Sequence, residues 1–127
     1  MNNVLNLKYF LLSSKAQFLW RVSFWSFLLV LLYFTLTPVP PKPIGLNQID
    51  KFYHFVSFAV LGFTFLMAYS GLAVKTVIYT SISIGVGIEV LQYFIPNRGF
   101  SIADMLADAL GVIAGVWIGK WLLKSKS

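Results

Sequence analysis

Four apolar runs, near residues 19–37, 52–70, 74–95 and 102–122, are each long enough to cross a bilayer core, which takes about 20 predominantly apolar residues. In lipid the backbone has no water to bond, so each run must close its hydrogen bonds internally as a helix. Only 11% of the 127 residues are charged and 58% are hydrophobic, against roughly 25% charged in an ordinary soluble domain. A water-facing surface cannot be assembled from this supply. The expected fold is therefore all-α: a polytopic, four-helix transmembrane bundle over residues 19–122, with an N-terminal segment 1–18 before it and a basic tail 123–127 after it.

The N-terminal segment mixes Val4, Leu5, Leu7, Tyr9 and Phe10 with Asn6, Lys8 and Lys15, a pattern open to an interfacial helix or a frayed tail. The first span is expected to be retained. No small-x-small cleavage pattern follows it, and its apolar run exceeds that of a signal peptide. It should stop at the proline-rich stretch Pro38 to Pro43, since proline offers no amide donor to continue a helix. The second span opens on the polar run Asp50-Lys51-Phe52-Tyr53-His54, the third stops at Pro96, and the short loop 96–100 returns the fourth antiparallel beside the third.

Positive charge flanks these runs instead of forming one stripe, which argues for membrane topology and against nucleic-acid binding. With four spans, Lys8, Lys15, Arg21, Lys75, Lys120, Lys124 and Lys126 share one side, and Lys42, Lys51 and Arg98 the other. Both termini are accordingly expected to be cytoplasmic, in the cell (inner or plasma) membrane. Arg21 is expected to snorkel to the headgroups. There is no cysteine, which excludes disulfides and thiolate metal sites.

The same topology collects all four acids, Asp50, Glu89, Asp104 and Asp108, with Lys51, His54 and Arg98, in the half away from the cytoplasm. Helical rise puts Glu89 and Asp108 each roughly 10 Å, and His54 about 6 Å, from its helix end. Residues three or four apart share a face, giving Asp50, His54, Ser57 on one helix, Ser81, Gly85, Glu89, Gln92 on the next, and Asp104, Asp108, Gly111, Gly115 on the last. An acid facing lipid costs roughly 2.5 to 3.5 kcal/mol or more, so these faces should turn inward. Ser101-x-x-Asp104 also fits a capping box, while neither capping nor snorkelling accounts for Glu89. Gly111-x-x-x-Gly115-x-x-x-Gly119 permits close approach of a neighbouring helix or of a second copy.

Three fragments in order, Asp50-Lys51-x-x-His54-Phe55, Glu89-x-x-Gln92-x-Phe94-x-Pro96-x-Arg98-x-Phe100-Ser101 and Asp104-Met105-Leu106-Ala107-x-x-Leu110-Gly111, resemble the VanZ-like family over about residues 45–119. The resemblance implies a membrane protein whose functional polar positions are Asp50, Lys51, His54, Glu89, Gln92, Arg98 and Asp104; the family's namesake is associated with low-level resistance to the glycopeptide teicoplanin. This chain has Asp108 where the family often has Asn, which adds a negative charge to the cluster.

Two functional classes follow. The first is an accessory or binding role in the cell envelope, with Asp50, Lys51, His54, Glu89, Gln92, Arg98, Asp104 and Asp108 forming an outer-leaflet pocket for a lipid headgroup or a lipid-linked cell-wall component. The second is an intramembrane hydrolase or transferase, with His54 as general base, Glu89 or Asp104 as acid or orienting partner, and Arg98 stabilising charge. A packing subunit whose polar cluster only locks the bundle is a third reading. No cofactor is expected. No metal site is read from the spacing, which lacks a pattern such as His-Glu-x-x-His, although His54 with Glu89, Asp104 or Asp108 offers a donor set for a divalent cation. Membrane lipids are the expected partners, with Gly111, Gly115 and Gly119 available for helix-mediated association.

Overall fold

The computed structural model describes residues 2–39 and 47–124; the proline-rich stretch from Pro40, with Lys42, and the tail 125–127 lie outside the described residues. Five helices follow one another: α1 (Asn2–Leu11), α2 (Ser14–Leu36), α3 (Asn47–Ala68), α4 (Val74–Gln92) and α5 (Ile102–Leu123). The last four are long and apolar enough to cross a membrane. The shortest of them, α4 with 19 residues, rises about 28 Å, close to a bilayer's hydrocarbon thickness.

Several boundaries differ from the sequence expectation for local reasons. The first span begins at Ser14, not near Leu19, because Ser13 caps it: its Oγ accepts from Ala16 N at 3.3 Å and donates to Phe10 O at 2.8 Å. Residues 1–18 therefore divide between a short helix and the start of the span. The third span stops at Gln92, short of Ile95, and the chain turns through residues 93–97, with Asn97 in the left-handed region at φ 60°, a conformation asparagine tolerates better than most side chains. The second span starts at Asn47, before the polar run that was expected to open it.

The tightest pairing is between α3 and α5, and glycine makes it possible. A Cβ on Gly111 or Gly115 would strike the backbone of Phe55 or Ala59, and one on Gly62 would meet Val112 O at 3.0 Å. Ala59 and Gly62 of α3 thus face Gly111 and Gly115 of α5 as a small-on-small seam. The glycine stripe left open by the sequence is filled within the chain, by α3. Around the seam, Phe58, Leu61, Val77, Ile88, Val112 and Val116 form the core with Phe24, Leu28 and Leu31 of α2.

By contrast, α2 keeps Phe18, Leu19, Val22, Leu29, Val30 and Phe34 exposed. So large an apolar face suits lipid, not water. Polar bonds at its two ends hold α2 on the bundle. Near its start, Gln17 Nε2 donates to Met67 O at 2.8 Å and Arg21 Nε to Ala68 O at 3.2 Å. Arg21 also lies 5.1 Å from the centre of the Tyr69 ring. Instead of reaching only for headgroups, as expected, Arg21 closes the end of α3, whose last carbonyls have no partner within the helix.

Candidate functional site

The start of α3, the end of α4 and the start of α5 meet at one end of the bundle. The polar faces expected there do turn inward: Ser81, Gly85, Glu89 and Gln92 are buried on α4, and Asp108, Gly111 and Gly115 on α5. Glu89 is 0% and Asp108 1% exposed.

His54 is the junction. Its Nδ1 lies 2.9 Å from Asp108 Oδ1 and its Nε2 3.7 Å from Asp104 Oδ2. The two aspartates stand one helical turn apart, so α5 presents a carboxylate to each ring nitrogen. Gly85 of α4 leaves the space behind this pair; a Cβ there would sit 3.0 Å from Asp108 Oδ2.

Glu89 has a role that the sequence reading denied it. Its Oε2 accepts the Ser101 N–H at 2.9 Å, while Ser101 Oγ accepts the Asp104 N–H at 3.2 Å. This is a capping box in which the acid comes from the preceding helix. Asp104 supplies its backbone amide to the cap, and its carboxylate faces His54. The second oxygen of each buried acid, Glu89 Oε1 and Asp108 Oδ2, has no hydrogen-bond partner among the described residues.

Two expected members give their hydrogen bonds to α2 instead of to the acids. Gln92 Nε2 donates to Thr35 O at 2.9 Å, Arg98 Nε donates to Thr37 O at 2.8 Å, and Arg98 Nη2 donates to Phe34 O. Both side chains close the C-terminal end of α2. Burial pulls the Arg98 guanidinium below its usual pKa, and the Asp50 charge opposes that pull. Arg98 lines the pocket as expected, but its donors go to the carbonyls ending α2, which have no partner within that helix. Sequence gave no pointer to this, since it hides which helix end lies beside the 96–100 loop.

Asp50, Lys51, His54 and Asp104 wall a cavity of about 330 Å³ together with Gln92, Arg98, Ser101 and the loop residues Asn97, Gly99 and Phe100. Asn97 and Gly99 were not among the expected site residues; their place in a short loop between two acid-bearing helices was the available signal. A smaller cavity of about 190 Å³ shares Asp50, His54, Gln92 and Arg98 but adds Leu31, Phe34, Tyr53 and Phe58 from the α2–α3 side. The polar pocket is thus adjoined by a mixed cleft, in which Leu31, Phe34 and Phe58 stand beside Thr35, Ser57 and the shared polar residues.

A bundle of apolar spans with its acids and its histidine gathered at one end defines a polytopic membrane protein. Within that class, the chain belongs to the VanZ/LLP1 family, whose sequence model matches residues 4–123. The match runs beyond the expected 45–119 to take in α2 and most of α1. No curated protein and no solved structure matches the chain.

Proposed function

We propose that this protein serves the cell envelope by binding a lipid headgroup, or a lipid-linked cell-wall component, in the pocket between α3, α4 and α5. The observation that carries this reading is the adjoining pair of cavities: a polar one with His54 and Asp104 in its wall, and a mixed one that shares Asp50, His54 and Arg98 and sets Leu31, Phe34 and Phe58 beside them. An amphiphile needs both halves. Four acids against Lys51 and Arg98 leave two negative charges in excess with His54 neutral, which suits a cationic or hydroxyl-rich headgroup. The excess of Lys and Arg on the opposite side supports cytoplasmic termini, so that the pocket faces the outer leaflet; a reporter at the C-terminus that is active only outside the cytoplasm should stay silent.

Mass spectrometry of molecules co-purifying with the native protein tests the reading. A lipid or lipid-linked saccharide should be enriched over bulk membrane and lost from folded Asp104→Asn. The same profile in both proteins would remove the proposal. A second reading, a hydrolase or transferase acting on such a lipid, is favoured by the placement of His54 between two carboxylates, an arrangement suited to general base work. Turnover by purified protein that disappears in His54→Ala distinguishes it from binding alone.

A further inference from the structure

We infer that His54, Glu89 and Asp108 form a binding site for a divalent transition-metal cation, zinc being the best match. One donor atom from each of the three lies within 4.8 Å of the other two, so a small inward adjustment brings them to the roughly 2.0–2.2 Å bonds of a zinc centre. The residues come from three different helices, α3, α4 and α5, and converge where those helices are packed.

The buried acids supply an independent reason. Glu89 Oε1 and Asp108 Oδ2 are cut off from solvent without a hydrogen-bond partner among the described residues, although buried polar groups are nearly always satisfied and a buried charge is expensive unless paired or bound to metal. A cation between these carboxylates meets that need. It also offsets the two negative charges left in excess among the acids, Lys51 and Arg98.

The surroundings of His54 fit as well. A metal-bound histidine usually gives its other N–H to a carboxylate, which fixes the ring and raises its basicity. With Nδ1 turned to Asp108 and Nε2 to Asp104, the metal takes Nδ1 and Asp104 holds the Nε2 proton; Asp104 is a positioning residue. Three protein donors leave coordination open for water or a ligand, as in catalytic zinc sites. Of these residues His54 and Asp104 wall the 330 Å³ pocket, while Glu89 and Asp108 lie buried behind it. The site does not rest on the envelope reading.

Cobalt(II) is the probe, because its visible absorption reports coordination number. The full chain, purified in detergent with a tag free of histidine and stripped with a chelator, contains one histidine and no cysteine. Titration should saturate at about one Co²⁺ per chain with the intense bands of a four- or five-coordinate ion, and Zn²⁺ should abolish them. Folded Glu89→Gln and Asp108→Asn should lose saturable binding, and Asp104→Asn should weaken it about tenfold. If those variants do not fold, X-ray absorption of the zinc-loaded native protein should show nitrogen and oxygen neighbours with imidazole scattering. The inference is overturned if native protein gives only the pale spectrum of hydrated Co²⁺, if folded Glu89→Gln and Asp108→Asn bind as tightly as native, or if imidazole scattering is absent.

Discussion

Gln17 and Arg21 close one end of the bundle and Gln92 and Arg98 the other. In each case a glutamine and an arginine donate to the last carbonyls of a neighbouring helix, α3 in the first and α2 in the second. The two ends differ in what else they hold. The Gln17 end has Tyr69 and Trp25, joined by a 2.9 Å hydrogen bond, and a helix start at Ala73 with no side-chain cap at all. The Gln92 end holds every acid in the chain and its one histidine. Closing helix ends therefore requires nothing acidic, and a helix start can go uncapped in this bundle. The capping bond of Glu89 accounts for one of its oxygens and for neither Asp104 nor Asp108. What remains is a group of carboxylates turned to His54 that closes no helix end.

One seam, between α3 and α5, holds both ends in register, and breaking it should have the largest effect. Gly115→Val drives a side chain into the backbone of Ala59 and should cost about 3 kcal/mol or more, seen as loss of the monodisperse peak and of the thermal transition in detergent. A normal melting profile would mean that the helices are not in backbone contact.

Next come the two arginines. Arg98 bonds two carbonyls and is half-buried, whereas Arg21 bonds one and is exposed. Charge-assisted bonds are worth roughly 1.5–3 kcal/mol each, less at exposed sites, so Arg98→Ala should destabilise by about 2 kcal/mol and Arg21→Ala by about 1. Equal losses in thermal melts would remove the asymmetry between the ends.

The smallest effect is expected at Glu89. Glu89→Ala deletes the acceptor for Ser101 N–H and should cost about 1 kcal/mol, as loss of a helix cap does. Glu89→Gln keeps an acceptor and should leave the melting temperature nearly unchanged. If Gln is as harmful as Ala, the charge itself has a structural role.

The number of spans, their antiparallel order and the inward turn of the polar faces were legible because each depends on period and length along one helix. Asp50, His54, Glu89, Asp104 and Asp108 were legible for the same reason: the cost of an acid in lipid leaves it few places to point. What stayed hidden depends on contacts between helices. Arg21 read as a flanking charge and Arg98 as a pocket residue only, because sequence does not tell which foreign carbonyls lie within reach. Glu89 read as uncapped because its amide partner, Ser101, begins the following helix. The partner of Gly111 and Gly115 stayed open because Ala59 and Gly62 look unremarkable within α3 until the two helices are laid together.

Asp108 stands one turn before Gly111, and His54 immediately precedes Phe55, whose carbonyl meets that glycine. With no side chain between the two main chains to compress or swing, the gap across which these residues face each other has a fixed gauge. The register of Asp108 against His54 is accordingly set as α3 and α5 fold.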